Sequence, residues 1–274
     1  MNMEAPCPIA LDVKEEIESL RLSFTRDFHP FFKGDLATRS EIGVILPTYC
    51  EAANIERLIT EIEDLNLQLS ILLLDDSSPD GTADIARALQ RKYHNILLFT
   101  RPRKTGLGTA ITDGFKVFLS LENPPEYIVT MDADYSHNPQ DVPRVVAAAK
   151  EGKGLAIGSR YRRGGKIENW SLFRLITSRI ANLIASSVVK APIRDYTSGL
   201  RCYSTKLVRA IVKDLHCQTY EIQIETIRQA RRRKFSVKEV PMTFVNRKKG
   251  KSKLSLNEIR EFLSYITKVR LGKK

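Results

Sequence analysis

From Ile42 onward, short apolar segments alternate with longer segments of helical periodicity. The apolar segments lack the polar residue at every second position that a half-exposed strand would carry, so both of their faces must be buried. Strands of this kind, separated by helices, are typical of a parallel sheet covered on both sides. The sequence therefore predicts an α/β fold with a mostly parallel sheet sandwiched by helices. Predicted strands occupy residues 42–47, 70–74, 96–100, 127–131 and 155–158.

The pattern changes after residue 165. A long and largely apolar helix is predicted over residues 170–189, interrupted by Arg174 and Arg179, and a strand is predicted over residues 235–245. A chain of 274 residues suffices for one large domain. We therefore divide it into an N-terminal extension over 1–40, a folded domain over 41–253, and a closing amphipathic helix over 254–274.

The net charge of +12 indicates an anionic partner. Nucleic acid, an anionic membrane surface and phosphate-bearing substrates all fit this charge, and a surface that only confers solubility is the alternative. The four cysteines form no C-x-x-C pair, which argues against a disulfide scaffold or a structural zinc site and favours a reducing cytosol. Because no uninterrupted apolar run reaches the ~18 residues of a membrane span, we do not expect the chain to cross a bilayer.

Polar residues cluster where four predicted strands end. In open parallel sheets, ligands bind outside the carboxyl ends of the strands, so these clusters predict one site. The clusters are Pro47-Thr48-Tyr49-Cys50-Glu51, Asp75-Asp76, Asp132-Ala133-Asp134 and Ser159-Arg160.

Asp132 and Asp134 are the candidate metal ligands. At a strand end, the alternation of an extended chain would let both carboxylates face one way, and hard oxygen ligands suit magnesium or manganese. Such ions also bind substrate phosphates, so a diphosphate is a natural further ligand of the ion. A lone D-x-D is common, and the alternative is a pair of loop or capping residues.

Asp75 or Asp76 is placed to accept a hydrogen bond from a nucleobase, whereas Asp80 is expected to cap the helix that follows it, with Thr82 as the alternative. The glycine-rich segment 104–108 matches neither the P-loop nor the G-x-G-x-x-G pattern, which disfavours kinases, ATPases and dinucleotide-binding enzymes. Close approach of its backbone to a phosphate or ribose remains open.

Three further polar features suit phosphate. Arg160 ends a strand, and Arg174 and Ser178 share one helix face at a spacing of four residues. The loop 247–253 is basic and glycine-containing. The alternative is a solvated charge for Arg174 and nonspecific surface charge for the loop.

In this order, the motifs resemble the family 2 glycosyltransferases of the glycosyltransferase-A fold, and more narrowly the dolichol-phosphate (polyprenyl-phosphate) mannose synthases. The resemblance covers residues 41–265 and implies a Rossmann-like nucleotide-binding half. Cys50 departs from the family, which more often has Asn there. Besides the clusters above, the motifs are Gly106-Leu107-Gly108, Tyr135-Ser136-His137, Trp170, Thr197-Ser198-Gly199-Leu200-Arg201 and Phe244-Val245-Asn246-Arg247 with Ser252-Lys253-Leu254.

The resemblance implies a GDP-mannose donor, a dolichyl or polyprenyl monophosphate acceptor and a Mg²⁺ or Mn²⁺ cofactor. Residue roles follow for four groups. The base and ribose would be lined by Pro47, Tyr49, Glu51 and one of Asp75 and Asp76, with Ala133 also at the donor. The metal would be held by Asp132, Asp134 and Ser136, and the lipid phosphate by Arg160, Arg174 and Ser178. Arg247 and Lys253 would close over the donor phosphates from a mobile loop.

A lipid monophosphate is ionised near neutral pH, because its second pKa is about 6. It therefore needs no strong general base, and His137 is expected to be structural. The reaction does need charge stabilisation on the departing nucleoside diphosphate, for which metal, Arg247 and Lys253 are suited. Direct displacement predicts inversion at the anomeric carbon.

Such an acceptor would place the chain at the cytosolic face of a membrane as a peripheral protein, with a separate membrane-anchor subunit as one option. The helix 170–189 and the closing helix suit an interfacial position, although both could instead pack on the sheet. The same fold transferring glucose or another sugar from a UDP-sugar, to a lipid phosphate or a glycan, is the alternative function. Nucleic acid is not expected as a partner, because acidic strand ends would repel its backbone.

Overall fold

The computed structural model describes residues 32–35, 39–246 and 256–272. Within these residues, the strands of the first half are β1 (Phe32–Lys33), β2 (Ile42–Thr48), β3 (Leu69–Asp75), β4 (Ile96–Thr100) and β5 (Tyr127–Thr130). The later strands are β6 (Leu155–Ser159), β7 (Lys166–Glu168), β8 (Arg201–Ser204), β9 (Val237–Pro241) and β10 (Thr243–Val245).

The helices between the strands match the predicted alternation. Those of the first half are α1 (Ala52–Glu63), α2 (Thr82–Gln90), α3 (Leu107–Ser120) and α4 (Val142–Gly152). Those of the second half are α5 (Leu172–Val189), α6 (Thr205–Ile211), α7 (Ile222–Arg232) and α8 (Leu256–Arg270). Of these, α6 was not predicted.

Among the described residues, the main sheet has eight strands in the order β1-β4-β3-β2-β5-β8-β6-β9. Only β1 and β8 run antiparallel to their neighbours within it. The prediction of a mostly parallel sheet with helices is therefore confirmed. The central strands β2 and β3 pair over seven residues each, from Ile42 opposite Leu69 to Thr48 opposite Asp75.

Two apolar clusters lie on opposite faces of the sheet, because successive strand residues point to opposite sides. In β2, Val44 and Leu46 belong to the cluster with α1, α2 and α4. Ile45 belongs to the cluster with α3, α6 and α7. All three side chains are fully buried. This burial explains why the strand sequences are apolar without alternation.

Two parts of the chain differ from the prediction. Phe32, from the predicted N-terminal extension, pairs with Phe99 and adds the edge strand β1. The predicted strand 235–245 is interrupted at Met242, whose amide donates to Ser159 and whose carbonyl accepts from Lys166. The chain thereby leaves the main sheet, and β10 forms a small parallel sheet with β7. Residues 1–31 and 36–38 of the predicted extension, and the loop 247–253, lie outside the described residues.

The helices α5 and α8 pack differently on this core. In α8, Ile266 is buried in the apolar cluster that contains Ile45, and Phe262 and Tyr265 pack against the same cluster. In α5, only Asn182 and Ala185 are buried. With 18 residues and a mean hydropathy of 1.3, α5 is long and apolar enough to cross a membrane by composition, but one such helix is weak evidence for a span. The sequence prediction considered only uninterrupted apolar runs, so it did not identify α5 as a helix of this length and hydropathy.

Candidate active site

The predicted polar strand ends do lie at one edge of the sheet. The strands β2, β3, β5 and β6 are mutually parallel, so their carboxyl ends share that edge. The antiparallel β8 lies between β5 and β6 and brings its preceding turn, residues 197–199, to the same edge. A bond of 3.0 Å from the Thr130 hydroxyl to the Gly199 carbonyl fixes this turn beside the acidic triplet.

Asp75 and Asp76 have different roles. The Asp75 carboxylate accepts bonds from the Thr48 hydroxyl (3.2 Å), the Ser78 amide (2.9 Å) and the Ser78 hydroxyl (2.5 Å). Its oxygens are therefore committed to the loop that follows β3. Asp76 bonds to Arg101 through Oδ1, at 2.6 Å from Nε, and its Oδ2 has no partner among the described residues. Of the two candidates, Asp76 is the one with an acceptor left for a ligand.

The loop 77–82 caps α1 from a distance. The side chains of Ser78, Thr82 and Asp80 accept bonds from the amides of three successive residues, 50, 51 and 52, at 2.9–3.0 Å. The sequence predicts Asp80 as a cap of the helix that follows it, but the N-cap of α2 is Gly81, without a side-chain cap bond. Asp80 Oδ2 instead accepts the amide of Ala52 at the start of α1. Burial acts to raise its pKa, but the Thr82 hydroxyl and the backbone donors outweigh burial and lower it. The cap fixes the segment that carries Tyr49 and Glu51.

The same segment explains the departure at position 50. Cys50 has a φ of +58°, in the left-handed region. Asn adopts this conformation more readily than most residues, so the family preference for Asn has a backbone reason. Next to it, the Lys104 ammonium lies 4.3 Å from the centre of the Tyr49 ring. Pro47 and Tyr49 are partly exposed, and Glu51 accepts a bond from Asn54.

The glycine-rich segment approaches protein backbone. A Cβ at Gly106 would lie 2.3 Å from the Gln218 carbonyl oxygen, and one at Gly108 would lie 2.2 Å from that of Cys217. The Gly108 amide also donates to Gln218 at 2.9 Å. These glycines are thus explained by close contact between α3 and the loop before α7. Whether the backbone of this segment also approaches a phosphate or ribose stays a prediction.

The geometric reason given for the acidic triplet is wrong. The strand ends at Thr130, and residues 133–135 form a turn in which Tyr135 has a φ of +63°. Asp132 and Asp134 are thus placed by a turn, and alternation along a strand plays no part. Ala133, between them, is buried. The Ser136 amide donates to Asp134 at 3.1 Å, which fixes that carboxylate.

The triplet suits a hard cation. Both aspartates are partly exposed, and the buried Ser136 hydroxyl has no hydrogen-bond partner in the described structure. In the part of the chain that the structure describes, no group of three His, Cys, Asp or Glu side chains could hold a metal alone. Two carboxylates and a hydroxyl fit Mg²⁺ or Mn²⁺, which usually complete their coordination with water and substrate phosphate. Gly199 keeps the space clear, because a Cβ there would lie 2.9 Å from Asp132 Oδ1.

His137 supports this turn. Its side chain is fully buried and packs edge-to-face on Phe244, with 5.3 Å between ring centres. Its Nδ1 accepts a bond of 3.3 Å from the Asp132 amide, so the ring stabilises the start of the turn. The position is that of a structural residue, as the sequence predicted.

Arg160 is held in a buried ion pair with Asp195. Arg160 Nε and Nη2 donate to the two Asp195 oxygens at 2.8 and 2.7 Å, and Nη2 also reaches Thr197 at 2.6 Å. Burial alone would raise the pKa of Asp195, but the charge and hydrogen bonds of Arg160 outweigh it and lower the pKa. Glu239 in turn accepts the amides of Arg194 and Asp195, both at 2.9 Å. Two of the three guanidinium nitrogens of Arg160 are thus occupied, and Nη1, which has no hydrogen-bond partner among the described residues, could meet an anion.

Arg174 and Ser178 lie in the same neighbourhood. The guanidinium carbons of Arg160 and Arg174 lie 5.3 and 4.2 Å from the centre of the Trp170 ring. The Tyr161 hydroxyl, next to Arg160, donates to Ser178 at 2.8 Å. The three predicted phosphate ligands therefore gather around shared aromatic side chains. Arg174 also donates to Asn246 at 2.6 Å, immediately before the segment that carries Arg247 and Lys253, which lie outside the described residues.

Sequence reasoning missed three residues of this site: Arg101, Asp195 and Glu239. Arg101 had a signal, because it directly follows the strand Ile96–Thr100 and so stands at a fifth strand end. Asp195 and Glu239 had none, because their partners are 35 and 44–45 residues away in sequence.

Comparison with known proteins places the chain in a known group. Residues 43–212 match the family described as Glycosyl transferase family 2. The chain is 37% identical over 220 residues to the polyprenol monophosphomannose synthase of Mycolicibacterium smegmatis, covering 80% of this chain and 82% of that protein. It is 35% identical over 230 residues to the dolichol-phosphate mannosyltransferase of Pyrococcus furiosus, covering 82% of this chain and 62% of that protein.

Solved structures share the fold. A glucosyl-3-phosphoglycerate synthase from Mycobacterium tuberculosis, in complex with Mn²⁺, UDP and phosphoglyceric acid, has a TM-score of 0.61 at 18% identity, covering 93% of this chain and 81% of that one. The mannosyltransferase PcManGT from Pyrobaculum calidifontis, in complex with GDP-Man and Mn²⁺, has a TM-score of 0.54 at 17% identity, covering 94% and 72%. At these identities, the likeness extends to the fold.

Proposed function

This chain is a glycosyltransferase that belongs to glycosyl transferase family 2, and we propose that it transfers a mannosyl group from GDP-mannose to a dolichyl or polyprenyl monophosphate. One observation carries the proposal beyond the family. The acidic triplet, suited to a donor diphosphate, faces a second cluster of cationic side chains across the turn 197–199. A second cluster provides for a second phosphate, which a generic nucleotide-sugar enzyme does not require. The names of the two relatives, at 37% and 35% identity, supply the sugar and the lipid class.

On the donor side, Asp76, Tyr49, Pro47 and Glu51 would line the base and ribose. They lie at the carboxyl ends of β2 and β3, which pair directly. Asp132, Asp134 and Ser136 would hold Mg²⁺ or Mn²⁺, with Ala133 packed beneath them. The ion, when bound, would neutralise charge that develops on the departing nucleoside diphosphate.

On the acceptor side, Arg174, Ser178 and the free edge of Arg160 would hold the lipid phosphate. A phosphate monoester is largely dianionic near neutral pH, because its second pKa is about 6, so its oxygen can attack without a general base. The new C–O bond forms at the anomeric carbon as the bond to the nucleoside diphosphate breaks on the opposite face, and the configuration inverts. Arg247 and Lys253 would approach the donor phosphates from the segment after Asn246.

The apolar stripe of α5 supports a membrane-surface location. Five large side chains on this helix are exposed: Leu172, Phe173, Ile176, Ile180 and Leu183. They follow a spacing of three to four residues and begin beside Arg174, so one face of the helix is apolar next to the proposed phosphate site. On α8, Ile259 and Leu263 are also exposed. Such faces suit the headgroup boundary, where the net charge of +12 would favour anionic lipid.

We infer a peripheral protein on the cytosolic face, and binding of the purified chain to vesicles would separate direct attachment from a requirement for an anchor subunit. Binding to anionic vesicles in the absence of any other protein is expected. If the purified chain stays in solution but sediments with a membrane fraction, a separate anchor would be the explanation.

A donor panel tests the function. The purified chain would be incubated with Mn²⁺, a polyprenyl phosphate and GDP-mannose, UDP-glucose or UDP-GlcNAc, and the lipid product would be analysed by mass and anomeric configuration. We expect a mannosyl phosphate lipid of inverted configuration from GDP-mannose only. Transfer from UDP-glucose instead would establish the alternative donor, and transfer to a glycan but not to the lipid would overturn the acceptor.

A further inference from the structure

Arg101 is a buried cation at the end of β4. It is 3% exposed and bonds to four side chains. Nε and Nη2 both lie 2.6 Å from Asp76 Oδ1. Nη1 donates to Thr105 at 3.0 Å, Thr109 at 2.8 Å and Asp113 at 3.3 Å, and Nη2 reaches the Gly106 carbonyl at 3.4 Å. Every guanidinium nitrogen therefore has an acceptor within the protein.

The backbone of Arg101 is fixed as well. Its amide donates to the Asp75 carbonyl at 2.7 Å, and its carbonyl accepts a bond of 2.6 Å from the Ser77 hydroxyl. Main chain and side chain together join the end of β3, the end of β4 and the first turns of α3. Arg101 is thus a rigid element with no donor left for a ligand, and it can affect a substrate only through a neighbour.

Asp76 is that neighbour. It is 8% exposed, it stands at the end of β3 beside the proposed donor residues, and its Oδ2 has no partner among the described residues. The groups that face it are Arg101, Asp75 and Lys104, with Asp113 beyond the guanidinium. Burial raises the pKa of Asp76 and Asp75 adds to this, whereas Arg101 and Lys104 oppose it.

We propose that Arg101 is a positioning residue for donor recognition, which fixes the Asp76 carboxylate so that Oδ2 accepts a hydrogen bond from the nucleobase of the donor. This inference rests on the proposed function, because it names how the donor site of that enzyme is organised. Two nitrogens of the guanidinium hold Oδ1 in place, and the Asp76 amide bonds to the Thr48 carbonyl at 3.1 Å. With both ends of the side chain held, Oδ2 points in a fixed direction.

The chemistry of a single fixed acceptor selects a class of base. Guanine and uracil carry a ring N–H beside a carbonyl, and a carboxylate oxygen can accept a hydrogen bond from that N–H. Adenine and cytosine have an unprotonated ring nitrogen at the equivalent position, which a carboxylate would repel. Asp76 and Arg101 would therefore distinguish GDP and UDP from ADP and CDP, and other residues would recognise the sugar.

The experiment compares Arg101→Met and Arg101→Lys with Asp113→Asn as control. Asp113→Asn alters the opposite side of the same guanidinium and leaves the pair with Asp76 intact. Dissociation constants for GDP and ADP, with Mn²⁺ present, and separate KM values for donor and acceptor would be measured at pH 6 and pH 8. Circular dichroism and melting temperature would establish that each variant is folded.

We expect Arg101→Met to raise the dissociation constant for GDP at least tenfold and to leave that for ADP weak, as in the wild type. The loss should be larger at pH 6, because Asp76 without Arg101 takes up a proton more readily and then ceases to accept. Arg101→Lys, which keeps the charge but not the fork, should show a smaller loss with little pH dependence. The acceptor KM should change less than twofold in all variants, and Asp113→Asn should bind GDP within twofold of the wild type.

Three results would overturn the inference: GDP binding by folded Arg101→Met equal to that of the wild type, an equal rise in donor and acceptor KM at both pH values, or equal loss in Asp113→Asn. If Arg101→Met does not fold, Asp76→Asn combined with Arg101→Lys replaces it. A positioning role then predicts that the double variant is no worse than Asp76→Asn alone, and additive losses would contradict it. Failure of the wild type to bind any nucleoside diphosphate would instead overturn the proposed function.

Discussion

The proposed donor and acceptor halves of the site are built differently. On the donor side, every residue of β3 is buried, and the carboxylates at its end bond to neighbouring side chains. On the acceptor side, Arg174 and Ser178 lie on α5, a helix with only two buried residues and five large apolar side chains exposed. One half is thus enclosed by the fold, and the other half lies on a helix whose apolar face is open.

The difference fits the ligand proposed for each half. A soluble nucleotide must be oriented by the protein alone, so its ligands are fixed by internal bonds before it arrives. A lipid phosphate arrives at an interface that itself covers apolar surface, so the helix beside it need not be covered by protein. Arg160 joins the two halves, because its buried pair with Asp195 connects the acceptor cluster to the turn beside the acidic triplet.

The largest expected effect is on the donor side. Asp134→Ala should lower kcat at least about a thousandfold, because charge stabilisation by a metal is worth several kcal/mol and about 1.4 kcal/mol is tenfold in rate. The melting temperature should change little, since Asp134 is partly exposed. Turnover would be measured with and without a chelator. Undiminished activity of the wild type in chelator would exclude the metal role.

The second effect concerns the link between the halves. Asp195→Asn should lower the free energy of unfolding by about 3–5 kcal/mol, because it leaves the guanidinium of Arg160 buried without its counter-charge. Urea unfolding would measure this. Asp84→Asn is the control, since its pair with Arg87 is exposed, at 76% and 50%, and should contribute less than about 1 kcal/mol. Equal changes in both variants would show that the buried pair has no special role.

The same ion pair gives a pH dependence with a defined sign. The pKa of Asp195 is lowered in the folded chain from 3.8. A lowered pKa contributes stability that is present above the unfolded value and is lost as the pH falls through the folded value. Acid should therefore reduce the stability of the wild type more steeply than that of Asp195→Asn as the pH falls below about 4. Parallel acid-unfolding curves would contradict this.

A smaller and more selective loss is expected at Arg174. Arg174→Ala should lower kcat/KM for the lipid phosphate roughly 10- to 100-fold, because charged hydrogen bonds contribute about 1.5–3 kcal/mol. The donor KM should stay unchanged. Arg179→Ala, on an exposed position of the same helix, is the control. Equal loss for donor and acceptor would identify Arg174 as structural and remove the contrast between the halves.

The smallest effect should come from the apolar face. Phe173→Ser should weaken binding to anionic vesicles several-fold. Full burial of a Phe side chain contributes about 1.5–3 kcal/mol, and a side chain that is only partly inserted contributes less. Vesicle sedimentation would measure it, with Ala88→Ser at an exposed position of α2 as control. Turnover of a short, water-soluble prenyl phosphate should be unaffected. If sedimentation does not change, the membrane contacts a different face.

Much of the fold could be predicted because its signals are local. The period of apolar residues separates strands from helices, and Asp80 and Gly81 mark a turn within a few residues. The prediction failed where contacts with distant segments of the chain determine the local structure. The break at Met242 depends on Ser159 and Lys166, and the choice between Asp75 and Asp76 depends on Ser78, Thr48 and Arg101.

The sequence by itself therefore determined the α/β alternation, the polar strand ends and the acidic triplet, because each is encoded by neighbours along the chain. The tertiary structure alone decided how those groups are used. It committed Asp75 to a loop, gave Asp76 a fixed orientation through Arg101, and buried Arg160 against Asp195 from 35 residues away. The partners of a buried charged group depend on proximity in space and not on proximity in sequence. Burial makes the loss of such a partner costly in free energy.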